Sequence, residues 1–330
     1  MPFTQLAPRT LIRSLKAAGL TATLAVAQLS FAGATISNGT VQLGVNDEGN
    51  LAFSGVGLTY VPTAGEAITP GCECESWGAG DASSTRSGYA GESSGDANIV
   101  VESFTNTVDS ATSVVRINDG ADLLRVTHAY SPSANPNLYR VDVTIENISG
   151  GNVQLRYRRA MDWDVPPTEF NELVTLITGG ATNVIFSSDD GFATPDPFAG
   201  PSSILFTGEA TDSGPADHGA LFDFDFGTLA DGASFSFTIF YGAASNQANA
   251  LSALAAVGAE VYSLGKPNPA DPRVGTDGTP NTFIFGFAGV GGTPVGNVPT
   301  AIPTLSPWAL AVLAGTLGLL AATRLRRRIG

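Results

Sequence analysis

Residues 161–172 read MDWDVPPTEFNE and place four carboxylates, Asp162, Asp164, Glu169 and Glu172, in one short stretch. Asp162 and Asp164 are two apart, so on a strand they share a face. Paired carboxylates at a strand end can serve a glycosidase as acid and base, or bind calcium through oxygen. Acid–base work also needs surroundings that separate the two pKa values, which spacing alone does not supply. A structural reading stays open beside these: Trp163 packs in a core while the aspartates face water or pair with Arg156, Arg158 and Arg159.

The second chemical stretch is GCECESWG (71–78), which holds the two cysteines of the chain, Cys72 and Cys74. In an extended chain, residues two apart have Cα atoms ~6.6 Å apart, the upper edge of what a disulfide spans. A local kink allows the bond, and an oxidising compartment favours it. Free or intermolecular thiols are the alternative. Zinc is poorly served, because His128 and His218 are remote in sequence and two thiolates do not complete a tetrahedral site. Neither histidine sits near a GxSxG motif. NDEGN (46–50), NDGAD (118–122) and SSDDG (187–191) are oxygen-rich turns without the spacing of an EF-hand loop.

The elements that must position these groups are strands. Charged residues make up 14% of the 330, while Gly (39) and Pro (20) are plentiful, a composition suited to short strands and many turns. TVQLGV (40–45), NLYRVDVTIEN (137–147) and NVQLRYRRAMDWDV (152–165) alternate apolar and polar residues as half-buried strands do. The turn Ser149-Gly150-Gly151 predicts a hairpin over about 138–163, with a break near Tyr139 that suits a bulge. A second hairpin is predicted in 218–242, where Phe222, Phe224 and Phe226 answer Phe235, Phe237, Ile239 and Tyr241 across Ala230-Asp231-Gly232. After Ser245, read as an N-cap, NQANALSALAAVG has helical spacing and stops at Gly258. TPNTFIFGFAGVGG (279–292) reads as a last strand and TPVGNVPTA (293–301) as a linker. The expectation is an all-β protein: a large antiparallel β-sandwich over 35–292, one sandwich or two with a break near 189–201, plus one short helix.

Both ends read as addresses. Residues 1–34 run from a basic region ending at Lys16 through an apolar stretch (17–31) to Ala32-Gly33-Ala34, which suits signal peptidase. At the other end, residues 302–323 carry no charge and Arg324, Arg326, Arg327 and Arg328 follow. A helix over 307–323, with Trp308 at one interface and snorkelling arginines at the other, suffices to span a bilayer core of ~30 Å. The tetrapeptide Ile302, Pro303, Thr304, Leu305, then Trp308, the apolar run and the terminal arginines together resemble the IPTL-CTERM sorting signal of Gram-negative bacteria. That resemblance covers about residues 302–330. It implies an inner-membrane intermediate, processing by an exosortase-like enzyme, and delivery to the cell surface or release.

Seven of the 16 Lys and Arg lie in the two ends, so the middle carries 9 basic against 30 acidic side chains, near −21. Nucleic acid is excluded as a partner, since phosphate binding needs clustered cations. With no catalytic motif legible, the leading expectation is a non-catalytic surface or matrix protein without a cofactor, binding polysaccharide, calcium or other cells. The alternatives are a secreted carbohydrate-active enzyme using Asp162 and Asp164, and an unprocessed single-pass membrane protein.

Overall fold

The computed structural model describes residues 33–296. Four short strands, β1 (Ala34–Ser37), β2 (Val41–Val45), β3 (Leu58–Tyr60) and β4 (Gly65–Glu66), form a small sheet in that order. Next come β5 (Glu75–Asp81), β6 (Arg86–Gly91), β7 (Ile99–Asn106), β8 (Ala111–Asn118), β9 (Asp122–Pro132) and β10 (Leu138–Asn147). β11 (Val153–Trp163), β12 (Glu172–Ile177), β13 (Val184–Ser188) and β14 (Ala210–Ala216) precede the long strands β15 (His218–Leu229) and β16 (Ser234–Ala244). α1 (Gln247–Val257), β17 (Val261–Lys266) and β18 (Thr282–Ala288) complete the order.

Nine strands form one sheet, β14-β12-β17-β18-β16-β10-β9-β8-β7, and five form another, β13-β15-β11-β5-β6. All pairings are antiparallel. Among the described residues the fold is therefore all-β with one helix, as the period-two pattern predicts. The aromatic faces of the two larger sheets meet: Tyr157 contacts Phe237 edge-on at 5.0 Å, and Phe222 contacts Phe287 at 5.3 Å. Burying such rings supplies most of the drive to pack the layers.

Neither predicted hairpin forms. β10 lies between β9 and β16, whereas β11 lies between β5 and β15. β15 and β16 likewise belong to different sheets, with Phe226 and Phe235 stacked at 4.2 Å between them. Two consecutive strands that each bury a full apolar face can satisfy both by facing each other across the core. Each turn then carries the chain from one sheet to the other. There is also no bulge at Tyr139. Its register is continuous, and Tyr139 is buried in phase with Val141, Val143 and Ile145. Leu138 faces the other way, into a second cluster with Phe240, Ile284 and the Ala250, Ala253 and Leu254 face of α1. Asn246, not Ser245, caps that helix, its side chain accepting from the Asn249 N–H at 2.9 Å.

Between the sheets lies a buried polar network. Arg159 of β11 pairs with Glu75 of β5, both fully buried. The Tyr241 hydroxyl and the Leu51 N–H each donate to Glu75 at 2.7 Å, while Arg159 donates to the Tyr130 and Tyr157 hydroxyls and to the Gly49 carbonyl. His128 borders this group. Its burial, with the Arg159 charge adding, holds its pKa well below the ordinary value.

The outer face of the five-stranded sheet is covered by the 189–201 segment, where the sequence suggests a break. A Cβ at Gly78 would lie 2.1 Å from the Pro195 carbonyl oxygen, so only glycine admits the segment this close. Arg158 points out of the sheet into it, donating to the Thr194 and Ala199 carbonyls while pairing with Asp223.

Candidate functional site

Strand alternation sorts β11 into two sets. Tyr157, Arg159, Met161 and Trp163 face the core, and the Trp163 indole donates to the Ser263 hydroxyl of the opposite sheet at 3.0 Å. Arg158, Ala160 and Asp162 face outward, toward the 189–201 segment. Asp164 is the first residue past the strand. Backbone bonds continue there: Asp162 donates to the Cys74 carbonyl and Asp164 to the Ala67 carbonyl, each at 3.0 Å. On the other side β15 pairs Trp163 with His218 and Asp162 with Gly219. That register brings Asp217 alongside Asp164.

The result is a cluster of three carboxylates, with oxygens of Asp162, Asp164 and Asp217 all within 4.8 Å of one another. Asp162 and Asp164 are buried, at 2% and 0% exposure, and Asp217 is exposed. The cluster thus has two buried members and one on the surface. Gly191 lies directly over Asp162, where a Cβ would sit 2.8 Å from the Asp162 Oδ1.

These buried carboxylates are poorly supplied with hydrogen-bond donors, although the Trp163 N–H favours the charge on Asp162. Asp164 Oδ1, Asp164 Oδ2 and Asp162 Oδ1 have no partner. Asp162 Oδ2 faces Cys72 Sγ at 3.6 Å, but Cys72 and Cys74 are joined in a disulfide, whose sulfur carries no hydrogen to donate. Buried polar atoms ordinarily find partners, so the arrangement is costly when ionised. Burial pushes Asp162 up to about 7, with the Asp217 and Asp190 charges adding. Burial pushes Asp164 up to about 8, helped by Asp162, Asp217, Glu169 and Glu66. Glu172 is pushed by burial up to about 9, although its carboxyl accepts the His218 N–H at 3.1 Å.

Beside Asp162 is a recess of about 200 Å³ lined by Cys74, Ser76, Ser93, Ser94, Gly191 and Phe192 among others. Cys74 and Gly191 are the residues that flank Asp162. Phe192 and Phe170 stand 40% and 46% exposed.

Of the residues singled out by type and spacing, Asp162 and Asp164 come together as expected on one face. The arginines do not serve them: Arg156 pairs with Asp225, Arg158 with Asp223 and Arg159 with Glu75. Glu172 is buried against His218 N, and Glu169 acts on Asp164 through its charge. The two histidines are apart, His128 in the core network and His218 with Nδ1 3.1 Å from Asp189. In SSDDG, Asp189 and Asp190 accept backbone N–H groups of residues 202–206 and so anchor a loop. Asp217 is missing from the sequence reading, because 53 positions separate it from Asp164 and only the β11–β15 register joins them. Ile302, Pro303, Thr304, Leu305, Trp308 and the arginines from Arg324 to Arg328 lie outside the described residues, as does the span expected over 307–323. No helix among the described residues is long and apolar enough to cross a membrane.

Residues 300–327 match the IPTL-CTERM motif. The C-terminal segment is therefore a sorting signal, which marks an exported protein handled by an exosortase-type system. No curated protein matches the chain. Among solved structures it is similar to a candidate aldose 1-epimerase from Escherichia coli K12, at 13% identity and a TM-score of 0.36, covering 80% of this chain and 89% of that one. It is also similar to a galactose mutarotase related enzyme from Lactobacillus acidophilus, at 11% identity and a TM-score of 0.31 over 77% and 85% of the two chains. A galactose mutarotase-like protein from Clostridium acetobutylicum gives 9%, 0.32, 77% and 83%. All three bear the names of sugar-converting enzymes or their relatives, which runs against the expectation of a non-catalytic protein. Likeness at this level transfers no residue role, so the roles below come from this chain's own geometry.

Proposed function

We propose that the chain is an exported carbohydrate-active enzyme whose substrate-facing carboxylates are Asp162 and Asp164. The observation that carries this reading is the buried carboxylate pair, whose neighbours Cys74 and Gly191 line a recess with serine hydroxyls and the Phe192 ring. Carboxylates accept hydrogen bonds from sugar hydroxyls, serine hydroxyls both donate and accept, and Phe192 offers a flat apolar surface to the C–H face of a sugar ring. The acidic middle of the chain favours a neutral substrate over an anionic one. Chemistry at the anomeric centre, where oxygens gain or lose protons, is the reaction class such carboxylates support. Carboxylate oxygens within 4.8 Å leave no room between them for the water of an inverting hydrolase, which needs carboxyl groups roughly 6.5–9.5 Å apart.

The test is the purified exported protein on a panel of neutral mono- and oligosaccharides, followed by polarimetry and reducing-end release. The wild type is expected to turn over at least one sugar, and the Asp162→Asn/Asp164→Asn double variant to lose about 100-fold or more. A wild type inert on the whole panel removes the enzyme reading.

For the address, we propose removal of residues 1–34, an inner-membrane intermediate held by a helix over 307–323, and release to the surface of a Gram-negative cell. Mass spectrometry of surface-associated protein is expected to show both termini shortened. An intact C-terminus would eliminate processing.

A further inference from the structure

When ionised, the carboxylate cluster carries more charge than its surroundings can answer. Asp164 is fully buried with both oxygens unpartnered, Asp162 Oδ1 is unpartnered, and Asp217 completes the group from the solvent side. No arginine among the described residues pairs with it, and the neighbouring Arg156, Arg158 and Arg159 each hold another acid. The neighbouring sulfurs have no hydrogen to give. One oxygen from each residue lies within 4.8 Å of the others, a spacing that a single ion can bridge.

We propose that Asp162, Asp164 and Asp217 bind one divalent cation, and that this cation is calcium. The donor set decides the metal. All three side chains offer hard oxygen, which suits calcium or magnesium and not a soft metal. The disulfide removes Cys72 and Cys74 as thiolate ligands. His218 pairs across the ladder with Trp163, whose side chain enters the core, so its ring lies on the face of β15 away from the cluster. Zinc therefore lacks the nitrogen and sulfur it prefers. Calcium accepts six to eight oxygens in irregular geometry, with carboxylates mono- or bidentate, whereas magnesium demands near-ideal octahedral geometry. Three carboxylates of unequal burial on two strand ends fit the tolerant ion better. They leave ligand positions open on the Asp217 side, which solvent or two neighbouring hydroxyls of a sugar can fill. This deepens the carbohydrate reading, yet the ion's binding is measurable with no sugar present.

The experiment uses the full exported chain, stripped with chelator, with calcium alone as the probe. Calorimetric titration at pH 7.5 is expected to give one saturable site per chain, with magnesium about 100-fold weaker. Terbium in the same site is expected to luminesce on tryptophan excitation, since Trp163 lies between two of the ligands in sequence. Asp164→Asn is expected to weaken calcium about 30-fold or more, and Asp217→Asn about 10-fold. Asp217 is exposed, so its variant keeps the fold and tests the site even where Asp164→Asn does not fold. No saturable calcium binding up to millimolar concentration, or binding unchanged in Asp217→Asn and in any folded Asp164→Asn, overturns the proposal. Sugar turnover by a chain that shows no saturable calcium binding would leave the enzyme reading intact while the cation proposal fails.

Discussion

Glu75→Gln is expected to cost the fold about 3–5 kcal/mol, because it leaves the Arg159 charge fully buried with no counter-charge. The neutral amide must also turn an NH₂ toward groups that now donate to the carboxylate: Tyr241 hydroxyl, Leu51 N–H and Arg159 itself. A buried donor facing a donor loses its hydrogen bond and keeps its desolvation cost. Arg159→Met, which strands the Glu75 charge instead, is expected to cost a similar amount. The double variant Glu75→Gln/Arg159→Met removes both charges and is expected to be more stable than either single variant, with a coupling of roughly 2 kcal/mol or more. Urea unfolding of the four proteins measures this. Strict additivity would show that the pair is not coupled.

The second large effect is on pH. In calcium-free buffer, stability is expected to fall by on the order of 5 kcal/mol between pH 5 and pH 9. The sign follows from the direction of the shifts. Asp162 at about 7, Asp164 at about 8 and Glu172 at about 9 hold protons in the folded state that an unfolded chain releases near pH 4. The folded state therefore binds more protons throughout this window. Its advantage is complete below pH 4 and is lost as pH rises through the folded values. Asp162 and Asp164 face each other and Asp217, so they titrate as a coupled group and their contributions do not simply add. Thermal melts across the range check the slope, which Asp164→Asn should flatten. A profile that rises from pH 5 to pH 9 would contradict the burial of these carboxyls.

Strand content was legible because alternation reports burial, and burial is what a sandwich layer imposes. Alternation is silent on which sheet a strand joins. The 149–151 and 230–232 turns looked like hairpin turns, and the long-range aromatic contacts of Phe226, Phe235 and Phe237 decided otherwise. At the site, a spacing of two was enough to put Asp162 and Asp164 on one face. Asp217 depended on the register of β15 against β11, a pairing that no local pattern encodes. Arg159 was closer to legible than it seemed. It occupies the same phase as Tyr157, Met161 and Trp163, so period two alone directs its side chain inward, away from the aspartates.

The Cys72–Cys74 bond has a consequence for timing. A reduced chain, as synthesised in the cytoplasm, carries thiol hydrogens, and Cys72 could offer one to Asp162 Oδ2. Oxidation after export withdraws that donor permanently. If the cluster holds the proposed calcium ion, it is free of that competing thiol donor only once Cys72 and Cys74 are joined. The smallest covalent loop in the protein would then act as a record of maturation, arming the site at its destination and not before.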